Sequence, residues 1–128
     1  MKVLDDLLYT KNHEWILIED NIATVGITDY AQGELGDIVY VEIDTLEQLL
    51  EEGEVFGSVE AVKTVSDLFM PTSGQVISVN QKLENNPELV NDDPYGDGWI
   101  IKVQVDNKIL DDDQLLSSDD YKELIGLS

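Results

Sequence analysis

Short apolar, β-branched runs punctuated by turn residues dominate the chain. "EWILIEDNIATVGI" holds two such runs on either side of Glu19-Asp20-Asn21 and predicts a hairpin. "TDYAQGELG" follows, with Thr28 or Asp29 placed to cap a short helix and Gly36 placed to end it. "DIVYVEI" predicts a strand buried on both faces. In "DTLEQLLEEGE", Leu46, Leu49 and Leu50 fall at helical spacing, so local propensity predicts a helix over 45–52. "EVFGSVEAVKTVSDLFMPTSGQVISV" is two strand-like runs joined at Lys63-Thr64, the second broken by Pro71 and a "TSG" turn. Asn86-Pro87 suits the start of a single helical turn, and "WIIKVQV" is the last clear strand. "SSDDYKELI" predicts a C-terminal helix over about 117–125, capped by Ser117 or Ser118, with aspartates complementing the N-terminal end of its dipole. Short strands and frequent turns predict a mainly β fold, a small antiparallel barrel or sandwich with peripheral helices, in one domain over 1–128.

Charge narrows the partners. Twenty-eight acidic residues face seven basic ones, all lysine, for a formal net charge of −21. Such a surface repels the phosphates of nucleic acid and the anionic face of a membrane. It suits steering towards partners with basic docking patches, although a solvated acidic surface is the simpler reading of charge alone. The chain has no cysteine, hence no disulfide, thiolate nucleophile or cysteine-based metal site. Its single histidine, His13, cannot build a histidine-rich zinc site. No window approaches the roughly 20 apolar residues of a membrane span, and "MKVLDDLLYT" is not a secretory signal. A soluble, cytoplasmic protein is expected.

Several tempting constellations fail. "NDDPYGDG" lacks the alternation of a calcium loop and its closing Glu, and is read as a turn. Asp111–Asp113 are read as a solvated linker and helix-start charge cluster. Carboxylate pairs could be picked almost anywhere among twenty-eight acids, so they discriminate nothing. Gly33 and Gly36 make no phosphate loop, and one histidine sustains no serine triad. No catalytic or metal-binding set emerges, and a non-catalytic role is expected.

Lys63 is different. Most lysines are solvated surface groups. This one stands in "VEAVKTVSD", a stiff, β-branched turn without the Asn-Gly or Asp-Gly that a tight hairpin prefers. A rigid tip presenting one amine on a long stem is what a modifying enzyme, and then a swinging cofactor arm, requires. The free amine has an ordinary pKa of about 10.4, so an external ligase must supply an activated acyl group.

"GSVEAVKTVSD" followed by "PTSGQV" resembles the lipoyl-lysine hairpin of the glycine cleavage system H proteins. "YTKNHEW", "IATVGITDYAQGELGDIVYVE", "NPELVNDDPYGDGWIIKV" and the terminal "YKELI" are similar to that family's blocks in the same order, over nearly the whole chain. The resemblance implies a flattened barrel-sandwich hybrid with a hairpin over about 55–79 and (R)-lipoate on the Lys63 ε-amine. It implies a monomeric shuttle between glycine decarboxylase, a tetrahydrofolate-dependent aminomethyltransferase and dihydrolipoamide dehydrogenase. The modification would come from a lipoate ligase or lipoyltransferase. The absence of cysteine fits, since a dithiol carrier avoids mixed disulfides with itself. The family docks its loaded arm in a surface cleft, and a cationic amine there wants a carboxylate. Glu14 in "HEW" and Asp67 in "KTVSD" lie in the best-matching blocks; Glu14 also interrupts an apolar alternation with Ile16 and Ile18. Around Asp44-Thr45-Leu46-Glu47-Gln48 the chain departs from the family's proline- and glycine-containing turn, and the resemblance implies turn plus strand against the local helix signal.

Other readings stay open at this level. Biotinyl domains usually place methionines on both sides of the lysine, where Val62 and Thr64 stand here. Lipoyl domains of 2-oxoacid dehydrogenases typically carry Asp before it. The same fold could relay lipoyl groups to 2-oxoacid dehydrogenases, or serve as an unmodified acidic interaction module.

Overall fold

A computed structural model describes residues 2–105 and 115–127; the Asp111–Asp113 run lies outside the described residues. In chain order the elements are β1 (Leu8–Tyr9), β2 (Glu14–Glu19), β3 (Ile22–Ile27), α1 (Asp29–Leu35), β4 (Ile38–Glu42), β5 (Leu49–Leu50), β6 (Val55–Ala61) and β7 (Val65–Phe69). They continue with β8 (Gly74–Val79), α2 (Lys82–Asn85), α3 (Leu89–Asp92), β9 (Ile101–Gln104) and α4 (Ser118–Leu124). The strands form two antiparallel sheets, one ordered β1-β2-β3-β9-β8-β5 and the other β4-β6-β7. Inward-facing residues of both, among them Ile16, Val25, Phe56, Val59, Val76 and Val103, make one core. Each such side chain contributes about 1.5–3 kcal/mol by leaving water. Two sheets closing over a shared core give the flattened barrel-sandwich hybrid expected from the sequence.

The β2–β3 hairpin turns at Asp20-Asn21, and Asp20 takes the left-handed conformation (φ 57°) that a tight turn needs and Asp tolerates. Trp15 pairs with Gly26 across it. A side chain at 26 would fall 2.6 Å from Trp15 Nε1, so glycine lets the indole lie flat on the strand and donate to the Pro94 carbonyl at 2.8 Å. Trp15 thereby seeds a second cluster with Leu7, Tyr9 and Tyr121, which pins the chain's two ends together. Tyr9 and Leu116 exchange backbone hydrogen bonds (2.9 and 2.7 Å), and Tyr9 stacks on Tyr121 with ring centres 4.6 Å apart.

Both helix caps follow the sequence reading. Thr28 caps α1, with Gly36 ending it at φ 79°, and Ser117 caps α4 by accepting the Asp120 N–H. Two expectations are corrected. The 45–52 segment is not the helix of local propensity but the turn plus strand that the resemblance implies: it turns at Leu46-Glu47, with Glu47 at φ 71°, and forms β5. Backbone pairing decides this, because Glu47 N–H donates to Val76 O and Val76 N–H to Gln48 O at 3.0 Å, tying the segment to β8. Leu50 is buried and Leu49 is 80% exposed, a period of two rather than 3.6. The β4 strand is not buried on both faces either, since Val39 and Tyr40 are about half exposed. It is an edge strand of the smaller sheet, covered on its inner side through Ile38.

Candidate functional site

Lys63 stands at the tip of the β6–β7 hairpin, exposed, with Glu60 paired to Val65 below it. Ala61 N–H donates to Thr64 O at 2.8 Å, closing the turn. None of Val62, Lys63 or Thr64 needs a positive φ, which is why the tip dispenses with Asn-Gly. It is braced from outside instead: Val62 N–H donates to Asp37 O at 3.1 Å, just beyond α1. Val62 keeps 72% of its surface in water, so its side chain adds nothing to the core. Among the described residues Lys63 pairs with no carboxylate. Its stem lies over Gly36, where an added Cβ would be 3.5 Å from Lys63 Cε. The stem therefore runs towards the C-terminal end of α1.

On that side lies a cavity of about 300 Å³ between the 12–13 segment, α1 and β7. Ile27, Leu35 and Leu68 give it apolar walls; Asn12, His13, Tyr30, Glu34 and Asp67 supply polar groups. Asp67 is the third residue of β7, which starts just past the Lys63 turn. Asp67 is exposed and pairs with Ser58 of β6.

Glu14 is placed differently. It is only 2% exposed and lines a separate cavity of about 240 Å³ with Thr10, Glu52 and Met70. Asn12 lines both cavities, which therefore adjoin. Glu14 Oε1 accepts from the Thr10 hydroxyl at 2.9 Å, and Oε2 from the Phe69 N–H at 3.1 Å. The second bond joins the start of β2 to the end of β7, across the two sheets. Burial pushes the Glu14 carboxyl up to about 7, against the lowering effect of both hydrogen bonds. The two carboxylates singled out from sequence belong to neighbouring cavities, not to one.

The sequence reading gave no role here to His13 and Tyr30, which line the larger cavity, or to Tyr121, which His13 meets. His13 holds φ 67°; its Nδ1 lies 2.9 Å from the Tyr121 hydroxyl and its ring 4.9 Å from that of Tyr30. Tyr121 also meets Thr28 Oγ1 at 2.7 Å. Burial lowers the His13 pKa, partly opposed by Glu34. The available signal was the lone histidine inside "NHEW", which as a zinc ligand or a triad member has no partners. No cluster of metal-binding side chains occurs among the described residues, and no helix there is long and apolar enough to cross a membrane.

The family model "Glycine cleavage H-protein" matches residues 7–126. The chain is 53% identical to the glycine cleavage system H protein of Staphylococcus carnosus, over 98% of this chain and 99% of that one. It is 54% identical to that of Bacteroides fragilis over the same shares. The crystal structure of a glycine cleavage system H protein from Mycobacterium marinum superposes with a TM-score of 0.86 at 38% identity, covering 98% of this chain and 100% of that one. With a full-length match in sequence and in fold, the chain belongs to the glycine cleavage H-protein family.

Proposed function

We propose that this chain is the lipoyl-bearing shuttle of the glycine cleavage system, with lipoate attached to Lys63. The single observation carrying this is the braced, exposed hairpin tip that presents Lys63 beside a cleft with apolar walls and a carboxylate rim. The residues present fit the group: an unpaired primary amine to acylate, and a groove of matching polarity to receive the arm. When bound, the dithiolane supplies the sulfur chemistry that accepts an aminomethyl group and later gives up electrons. The chain's own part is presentation, docking and exclusion of water.

The rigid tip projects the arm into the active sites of glycine decarboxylase, the aminomethyltransferase and dihydrolipoamide dehydrogenase in turn. Between visits Gly36 and the neighbouring face of α1 would hold the arm. Ile27, Leu35 and Leu68 would cover its apolar length, and Asp67 would be the partner for a cationic group there, a charge-assisted contact about twice as strong as a neutral one. Glu14, reached past Asn12, is the inner acceptor. A buried carboxylate held near neutrality gains a partner for its charge when a cation arrives. A lipoate ligase or lipoyltransferase installs the group, and the carrier works as a cytoplasmic monomer that itself catalyses no step.

Reconstitution tests this. Lipoylated wild-type chain, mixed with the three partner enzymes, supports glycine-dependent release of carbon dioxide, and Lys63→Arg does not. Equal rates from the two would overturn the assignment.

A further inference from the structure

The proposed docking cleft has one wall whose charge is set from outside it. His13, the chain's only histidine, is half buried there, with Nδ1 on the Tyr121 hydroxyl. Tyr121 and Thr28 are fully buried, and their hydroxyls meet each other. Thr28 Oγ1 already accepts the Ala31 N–H at 3.2 Å as the cap of α1. For its own proton the Tyr121 oxygen is the acceptor within reach among the described residues. Buried hydroxyl protons find acceptors, so Thr28 donates to Tyr121 and Tyr121 donates to Nδ1. The ring proton of His13 is thereby placed on Nε2 and the ring is neutral. Protonating Nδ1 would make it a donor to the Tyr121 oxygen and leave one of the two hydroxyl protons, on Tyr121 or Thr28, without an acceptor in a dry site. The His13 backbone is held by the same group, since Thr28 N–H donates to the His13 carbonyl at 3.0 Å.

We propose that the C-terminal helix, through the Tyr121 hydroxyl, holds His13 uncharged, so that a cleft built for a cationic amine keeps only acidic charges on its rim. Around His13 stand Tyr30 and Glu34 of α1, Asp67 of β7, Tyr121 of α4 and its chain neighbours Asn12 and Glu14; Lys63 lies further out, over Gly36. Glu34 favours a protonated ring, and burial and the hydroxyl chain oppose it. Tyr121 touches neither arm nor amine. It is a positioning residue, and His13 is the group it sets. The proposal rests on the docking reading above, and its test separates the two.

The variant is Tyr121→Phe, which keeps the stacking on Tyr9 and removes only the hydroxyl. The first readout needs no arm: with a single histidine, the imidazole proton resonances of unlipoylated protein report His13 alone. Its titration midpoint rises in Tyr121→Phe; an unchanged midpoint overturns the proposal. The second readout is release of formaldehyde and ammonia from the loaded, lipoylated protein. Relative to wild type, Tyr121→Phe loses its cargo roughly two- to tenfold faster at pH 6, the range one hydrogen bond spans, and at an equal rate at pH 8. His13→Gln, neutral throughout, shows no such acceleration on acidification. Titration of Glu14 is common to all three proteins and cancels in the ratio. A ratio that is the same at both pH values overturns the proposal, because a merely loosened fold accelerates loss everywhere. Asp67→Asn separates the underlying reading: if it leaves cargo loss unchanged, the cleft does not dock the amine, and the link from His13 to cargo falls even with its midpoint shifted.

Discussion

Glu14 costs the fold stability above neutral pH and gains the cleft a buried acceptor. Its folded carboxyl titrates at about 7, against 4.5 when unfolded, so between those values the folded state binds more protons. Stability contributed by Glu14 is therefore full below about pH 4.5 and lost as pH rises to about 7. At about 1.4 kcal/mol per pH unit the loss is on the order of 3 kcal/mol. Denaturation of wild type and Glu14→Gln across pH 4 to 8 checks this: the wild type's advantage shrinks with rising pH, and a constant difference would contradict the burial described. For cargo, Glu14→Ala leaves lipoylation and redox cycling intact but shortens the lifetime of the loaded form; equal rates of formaldehyde release would remove Glu14 from the site. The exposed hairpin tip at Lys63 was legible as the junction of two strand-like runs. Glu14 was legible as a break in apolar alternation, but its burial in a second cavity was not, since no local pattern encodes which strand end lies across the sheet. His13 escaped because its meaning depends on Tyr121, 108 residues away.

The elements divide along the same line. Hairpins and caps are local, so Asp20-Asn21, Thr28, Gly36 and Ser117 all announce themselves. Segment 45–52 is not local: three leucines at helical spacing favour a helix, and pairing with β8 overrides a preference worth only tenths of a kcal/mol per residue. Tyr40 looked like core and is edge, because alternation marks a strand without saying how many sheets cover it. The α2 turn at Lys82–Asn85 carried no signal strong enough to place it. The α4 helix is the element with most at stake, since it holds both the terminal cluster and Tyr121. Its start depends on Ser117 Oγ, which accepts the Asp120 N–H at 3.2 Å. Ser117→Ala accordingly lowers stability by about 1 kcal/mol in denaturant titration. No measurable change would show that the tyrosine stack, not the cap, fixes the helix.

At the scale of the whole molecule the formal charge of −21 governs encounter. Acylating Lys63 makes it one more negative, so docking is led by acidic surface meeting basic patches. Affinity for the decarboxylase weakens as salt rises beyond about 0.1 M, where the screening length falls below about 10 Å. An affinity flat from low to high salt would indicate an apolar interface instead. The mainly β, two-sheet architecture was legible from short strands and frequent turns, and its closure over one core from the family blocks. The cleft was not, because it is assembled from three separate stretches, the 12–13 segment, α1 and β7. The central claim, that Lys63 carries lipoate, has one direct measurement: intact-mass and peptide-fragment spectrometry of the protein purified from its own cells, beside Lys63→Arg from the same host. The account predicts a lipoyl adduct located on Lys63 and none on the substituted protein. A biotinyl adduct, a lipoyl group on another lysine, or an unmodified chain in cells that lipoylate their other carriers would contradict it.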